Sequence, residues 1–289
     1  MGAGVSLVAH VLSHGRGKML GFCVSVEQFG NGERGFPGEP QCALAAPPVL
    51  VRFGPNPDGR DFVVGDIHGM FQHLEVLLRD IGFDERRDRL FSVGDLVDRG
   101  PSSALALDWL AKPWFVACRG NHEQFAIDSV DPEQLEVWVH HNGGAWWTEL
   151  SAEEQNRFRH AFAQLPLAIE VETASGVVGI VHADVPPLIS WDRFVDLLEG
   201  RNEDAMFYAM WSRNRISGNC SALPVTGRVQ RVYCGHTPIR ETLAFDNVLF
   251  IDTGAVYSAE GYKDARLTIV QVHPVEHREF AINTFNEAV

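Results

Sequence analysis

The sequence predicts an α/β fold that opens with a right-handed parallel βαβαβ unit, and three observations carry that expectation. Short apolar runs alternate with segments of helical periodicity between residues 61 and 118. The first runs end in Gly followed by an ionisable side chain. A 289-residue chain that is 45% apolar has enough material for a substantial core. In order, DFVV (61–64) reads as a buried strand closed by Gly65, and Met70, Leu74, Leu77, Leu78 and Ile81 then recur at helical spacing. Leu90–Val93 is a second strand, Ala104–Leu110 a second apolar-faced helix, and Trp114–Cys118 a third strand.

Residues 122–165 read as helical, interrupted by NGG (142–144), and Trp138, Trp146 and Trp147 are expected to pack in the core. Strands are expected at Leu167–Val171, Val177–Val181, Arg231–Cys234, Val248–Ile251 and Leu267–Val272, with a helical stretch over 191–211. Neither an internal repeat nor a low-complexity tract divides this region, so residues 59–289 form one expected domain. Residues 1–58, rich in Gly and Pro as in GNGERGFPGEP (30–40), are expected to be a poorly ordered N-terminal extension.

A formal charge of −14 excludes a general nucleic-acid binder, since phosphate-backbone affinity comes from clustered Lys and Arg. An anion site inside one cleft remains compatible with it, because converging arginines or bound cations reverse the local potential. The five cysteines are scattered and never spaced as CxxC, which suits free thiols in a reducing compartment, and the cytoplasm is expected. No apolar run approaches the roughly 20 residues that cross a bilayer, so no membrane partner is expected. Nothing in the sequence assigns an oligomeric state.

The strand ends carry the chemistry: GDIHG (65–69), GDLVDRG (94–100), RGNHE (119–123), VHAD (181–184), CGHTP (234–238) and IDTG (251–254). Parallel strands deliver such loops to one edge of a sheet, where ligands bind. Asp66, His68, Asp95, Asn121, His182 and His236 can therefore form one cluster rich in oxygen and nitrogen. Singly, each has a plainer explanation: an Asp after a strand is most often a helix cap, and a His is most often a satisfied buried ring. Together they demand cations, because aspartates gathered beside apolar strands repel one another at a heavy desolvation cost. His73, His140, His141, His160, His273 and His277 lie outside these motifs and are expected to be ordinary surface or packing residues.

In this order, GDIHG, GDLVDRG and GNHE followed by HAD and GHTP resemble the metal-dependent phosphoprotein phosphatase family, within the calcineurin-like metallophosphoesterases. The similarity is to its bacterial and phage branch, typified by bacteriophage lambda phosphatase. It covers roughly residues 60–275, including RGNHEQ (119–124), WSRNRIS (211–217) and IDTGAV (251–256). The resemblance implies a β-sandwich of mixed sheets flanked by helices. It implies Asp66, His68 and Asp95 on one divalent metal and Asp95, Asn121, His182 and His236 on a second, with Asp95 bridging. Mn²⁺ is the ion it implies first, and mixed oxygen and nitrogen donors also accept Fe, Zn or Co.

The activity so implied is hydrolysis of phosphoserine and phosphothreonine in a phosphoprotein or phosphopeptide, extending to phosphotyrosine, by direct attack of a hydroxide held between the metals. Arg99, Arg119 and Arg213 would grip the phosphoryl oxygens with their planar forks, with Arg215 a rival for the third place. His122 would protonate the leaving group and Asp98 would orient its ring. Glu123, opening the following helix, would favour that helix's N-terminus. The alternative activity is that of the symmetric bis(5'-nucleosyl)-tetraphosphatases, which share the metal boxes but typically carry Ala where VDRG (97–100) has Asp98. An inactive phosphopeptide-binding module is a third reading, disfavoured because a binder needs no general acid.

Overall fold

The expected strands form because their alternate residues face two different cores. The computed structural model describes residues 49–220, 223–275 and 277–285. These contain, in chain order, β1 (Leu50–Phe53), β2 (Asp61–Val64), α1 (Phe71–Asp80), β3 (Arg89–Ser92), α2 (Ala106–Leu110), β4 (Phe115–Ala117), α3 (Asn121–Asp128), α4 (Pro132–His141) and α5 (Ala152–Ala163). The second half holds β5 (Ala168–Thr173), β6 (Gly176–Val181), α6 (Trp191–Glu199), α7 (Glu203–Trp211), β7 (Val229–Cys234), β8 (Leu243–Phe245), β9 (Val248–Phe250), β10 (Arg266–His273) and β11 (Arg278–Asn283). Three 3-10 turns lie at Ser103–Leu105, Gly144–Glu149 and Ala255–Glu260.

Two mixed sheets result, one ordered β11-β10-β2-β3-β4 and the other β1-β5-β6-β7-β9-β8. Strands β2, β3 and β4 run parallel, as do β6, β7 and β9. In DFVV, Phe62 and Val64 pack with Phe71, Leu74 and Leu77 of α1, while Val63 packs with Ile169, Ile180 and Tyr233 of the other sheet. The period of two therefore puts one core between the sheets and one beneath the helices of the first sheet. A third core, built on Trp191, Phe194 and Leu198 of α6, covers the outer face of the second sheet. The expected sandwich of mixed sheets flanked by helices, opening with parallel β2-α1-β3-α2-β4, is the architecture found.

The structure differs from expectation at three edges. Strand β1 lies inside the segment expected to be a poorly ordered extension, and residues 1–48 of that segment are outside the described residues. It pairs in parallel with β5, Leu50 opposite Ala168 and Phe53 opposite Val171. Four residues show too little periodicity to read, and their partner is more than a hundred residues away. Strands β8 and β11 were not expected either; both expose much of their length, which blurs the apolar alternation. The expected helical stretch over 191–211 is two helices, because Gly200 ends α6 and the Asn202 side chain caps α7 by accepting the Ala205 N–H at 2.9 Å.

Glu170 ties β1 to the rest. Buried in β5, its carboxylate accepts from Arg52 Nε of β1 at 3.0 Å and from the indole Nε1 of Trp191 at 2.8 Å, with Arg228 at 3.3 Å. Glu170→Ala strands the buried indole N–H and should destabilise the protein by about 2 kcal/mol. That corresponds to a fall of about 4–8 °C in Tm, read by scanning calorimetry. An unchanged Tm would show that β1 and α6 are held independently of this carboxylate.

Candidate active site

The parallel runs β2-β3-β4 and β6-β7-β9 end at one cleft. Asp66, His68, Asp95, Asp98, Asn121, His122, His182, His236 and Asp252 are all buried there. Among the described residues, five of the eight non-glycine residues with positive φ belong to it: His68 (44°), Asp95 (52°), Asp98 (78°), Arg99 (65°) and His236 (68°). Each such residue costs about 1–3 kcal/mol and persists only where the surroundings over-determine it. The Asp95 carbonyl helps to do so by accepting the N–H groups of Ile67 and His68 at 3.1 and 2.8 Å.

Three imidazoles have their tautomers set by main-chain carbonyls. His68 gives Nδ1–H to Val97 O at 2.7 Å, His182 gives Nδ1–H to Val93 O at 3.1 Å, and His236 gives Nε2–H to Trp211 O at 3.2 Å. The remaining nitrogens turn into the cleft. His182 Nε2 and His236 Nδ1 lie 3.2 Å apart, and both approach Asn121 Oδ1, at 2.9 and 2.8 Å. Burial holds His68 and His236 well below the ordinary histidine pKa and His182 below it, so these are neutral rings. Two lone pairs and an amide oxygen thus face one another with no proton among them. A divalent cation supplies what they lack, and the mixed donor set suits one.

Asp95 joins two halves of the cluster. Its Oδ2 lies 3.6 Å from His68 Nε2 and its Oδ1 3.4 Å from His182 Nε2. Among the described residues, ligand atoms of His68, Asp95 and His122 form one compact group, and those of Asp95, His182 and His236 form another. Asp66 stands beside the loop that follows β7, where its two oxygens lie 3.1 and 3.0 Å from the His236 backbone nitrogen. Burial pushes its carboxyl well above the ordinary value, and the carboxylates of Asp252 and Asp95 add to the effect. Carboxylates crowded in this way ionise readily only beside cations. Two glycines make the crowding possible. A Cβ on Gly235 would fall 1.9 Å from Asp66 Oδ1, and one on Gly120 would fall 2.2 Å from Asp95 Oδ1.

His122 is the second residue of α3, with its backbone N–H on Asp95 Oδ1 at 3.0 Å. Its Nδ1 meets Asp98 Oδ2 at 2.5 Å, leaving Nε2 for the cleft. Burial alone would depress this imidazole, but the carboxylates of Asp95 and Asp98 outweigh it and hold the ring above its ordinary pKa. The structure thus brings together the two residues that the sequence analysis paired.

The arginines separate. Arg99 and Arg213 are exposed at the cleft, with Arg99 Nη1 2.8 Å from His68 Nε2 and Arg213 Nη1 3.0 Å from the Thr237 hydroxyl. Arg119 departs from expectation. It is buried, and its guanidinium donates to the carbonyls of Ala163 and Leu165 at 2.9 and 3.1 Å and to Gln124 at 3.2 Å, so it braces the approach to β5. Arg215, the rival to Arg213, is also buried, with Nε on Asp184 Oδ1 at 2.9 Å and Nη1 on Leu223 O at 2.7 Å.

Three contributions were not anticipated. Glu123 was expected only to favour a helix end, yet its buried carboxylate accepts the N–H groups of Gly120, Asp95 and Leu96 at 2.8, 3.0 and 2.7 Å and so fixes the loop that carries Asp95. Burial, then Asp95, pushes its carboxyl up to about 7. Trp138 and Trp146 were expected as packing, and both also donate to Asp98, at 2.5 and 2.6 Å. Asp252, unassigned from sequence, is buried beside Asp66 with Oδ1 accepting the Gly254 N–H at 2.9 Å, and burial raises it to about 6. Glu123 left a trace in the sequence through its place three residues after Gly120, and Asp252 through the strand end IDTG (251–254), whereas the indole contacts left none.

Residues 62–240 match the family described as calcineurin-like phosphoesterase. The chain is 39% identical over 203 residues to serine/threonine-protein phosphatase 1 of Salmonella typhimurium, covering 69% of this chain and 88% of that relative. To a symmetrical bis(5'-nucleosyl)-tetraphosphatase of Coxiella burnetii it is 32% identical over 133 residues, 44% of this chain and 42% of the relative. Two solved structures share the fold at a TM-score of 0.60 and 84% coverage of this chain. One is a putative diadenosine tetraphosphatase, 24% identical and wholly covered; the other is a protein serine/threonine phosphatase from Saccharomyces cerevisiae, 17% identical and 86% covered.

The closeness of Gly235 to Asp66 is testable. Gly235→Ala should displace the Asp66 carboxylate and lower the metal bound per chain by at least about half, measured by elemental analysis of protein whose circular dichroism matches the parent. Full metal content in that variant would show that Asp66 does not hold an ion from this position.

Proposed function

The chain belongs to the calcineurin-like phosphoesterase family, and from that membership we propose that it is a metal-dependent phosphoprotein phosphatase acting on phosphoserine and phosphothreonine, with phosphotyrosine inside its range. Asp66, His68 and Asp95 would hold one divalent cation, and Asp95, Asn121, His182 and His236 the other. Bound there, the pair supplies a water nucleophile at neutral pH and positive charge for the phosphoryl oxygens. Manganese is proposed as the working ion, since hard carboxylate and amide oxygens are mixed with imidazoles. Arg99 and Arg213 approach from separate loops and would pair their forks with the phosphoryl oxygens.

The Asp98–His122 contact is the observation that carries the choice of substrate. A serine or threonine alkoxide is a poor leaving group and must take a proton as the ester bond breaks. His122, its Nδ1 held by Asp98, presents Nε2 to the cleft and would give that proton. A nucleoside diphosphate leaves readily without one, so a built general acid favours the monoester over the dinucleotide. The greater coverage and identity shared with the Salmonella phosphatase support the same reading. Among the described residues no helix is long and apolar enough to cross a membrane, and Cys118, Cys220 and Cys234 are free thiols. The cytoplasm is proposed on the strength of those thiols.

Three outcomes follow. Exhaustive chelation should abolish hydrolysis of phosphoserine peptides and added Mn²⁺ should restore it; full activity without metal would refute the mechanism. Assayed side by side, phosphoserine and phosphothreonine peptides should be cleaved with a higher kcat/KM than diadenosine tetraphosphate, and the reverse order would favour the nucleotide enzyme. Asp98→Asn should keep its metal while kcat on an alkyl phosphate falls by about 100-fold. Its alkaline limb should move to lower pH, because the protonated imidazole has lost an anionic neighbour.

A further inference from the structure

We propose that Trp138 and Trp146 are positioning residues for leaving-group protonation, their two indole N–H groups fixing the Asp98 carboxylate in the single orientation that aims His122 Nε2 into the cleft. The proposal rests on the role given to His122 above. Asp98 is fully buried and its oxygens are shared among three donors. Oδ2 accepts from His122 Nδ1 at 2.5 Å and from Trp138 Nε1 at 2.5 Å, while Oδ1 accepts from Trp146 Nε1 at 2.6 Å. A carboxylate turns easily about its terminal bond, and one hydrogen bond alone would let it swing. Donors on both oxygens remove that freedom, and bonds to a charged acceptor are the strong kind.

The scaffold around the pair is built for this contact. Trp138 lies on α4 and Trp146 in the following 3-10 turn, joined by the Asn142-Gly143-Gly144 turn. A Cβ on Gly144 would come within 2.7 Å of the Trp138 ring, so that glycine lets the indole sit where it does. Gly143 O accepts the Arg99 N–H at 3.3 Å, which ties the same turn to the backbone beside Asp98. Trp138 stacks on Phe125, and the Phe125 ring meets His122 edge-on at 5.6 Å. Packing alone would not aim indole nitrogens at one carboxylate. Trp147 shows the contrast: it is buried in the same aromatic cluster, and its Nε1 has no hydrogen-bond partner.

The test compares Trp146→Phe, Trp138→Phe and Trp147→Phe in metal-loaded protein. It adds variants carrying benzothienylalanine at 138 or 146, where sulfur replaces the N–H and the shape is kept. Two readouts are taken: the ratio of kcat on an alkyl phosphate to kcat on an aryl phosphate with a good leaving group, and, in protein loaded with diamagnetic Zn²⁺, the NMR resonance of the His122 Nδ1 proton. Loss of either donor should lower the ratio by about tenfold with KM and metal content unchanged, and should shift the resonance. Trp147→Phe should move neither. An unchanged ratio and resonance in the benzothienyl variants would overturn the proposal, as would an equal effect of Trp147→Phe. A parent protein that hydrolyses no phosphomonoester would overturn the function proposed above, and the resonance would then decide the positioning by itself.

Discussion

Acceptors that face acceptors govern this structure. In the cleft, Asn121 Oδ1, His182 Nε2 and His236 Nδ1 point at one another beside the carboxylates of Asp66 and Asp95, with one ring N–H each of His68, His182 and His236 already given to a main-chain carbonyl. Without cations such an arrangement is unfavourable by several kcal/mol and would spread apart if the chain allowed it. The chain does not allow it, because each group stands at the end of a strand buried on both faces, and three apolar cores hold the two sheets in register. The stability of the sandwich thus keeps the site in an arrangement that only metal relieves. The left-handed backbone at His68, Asp95 and His236 is a second cost carried by the same cores.

This division of labour explains how an acidic chain would bind an anion. The net charge of −14 is a sum over the whole chain, whereas the cleft potential depends on a few groups. Arg99 and Arg213 keep exposed guanidiniums there, while Arg119 and Arg215 are buried in the scaffold among carbonyl oxygens and Asp184. The four are alike in sequence and differ in what surrounds them. The same holds for the carboxylates: Glu170 and Glu123 brace main chain and indole, and Asp95 faces the imidazoles.

The legibility of the fold follows the same distinction between local and tertiary causes. Central strands such as β2 and β6 were readable because burial on both faces writes an unbroken apolar run, and the candidate ligand positions stood out because each lies just past such a run, most of them beside a glycine. Edge strands β1, β8 and β11 were not, since each is short or half exposed and owes its existence to a neighbour fixed elsewhere. Arg119 was misread because residue type and motif place it beside Asn121, whereas its side chain turns toward carbonyls some 44–46 positions later. The part of Trp138 and Trp146 was invisible for a related reason. An indole in an apolar helix reads as packing, and nothing nearby in sequence names the carboxylate it meets.

That last contact links chemistry to parts of the chain far from any motif. Asp98 lies 24 positions from His122, 40 from Trp138 and 48 from Trp146, yet all three converge on its two oxygens. A small apolar residue in its place would free His122 to turn and leave a fully buried indole N–H without an acceptor, at about 1–3 kcal/mol for each such group. A site suited to a leaving group that needs no proton would therefore require different residues at 138 and 146 as well as at 98. Selection of the leaving group is, in this sense, a property of the packing between the GDLVDRG loop, α4 and the turn after it. The proposed metal ligands alone would serve either chemistry, and on the proposed role of His122 the aromatic wall behind Asp98 would suit the cleft to alcohols.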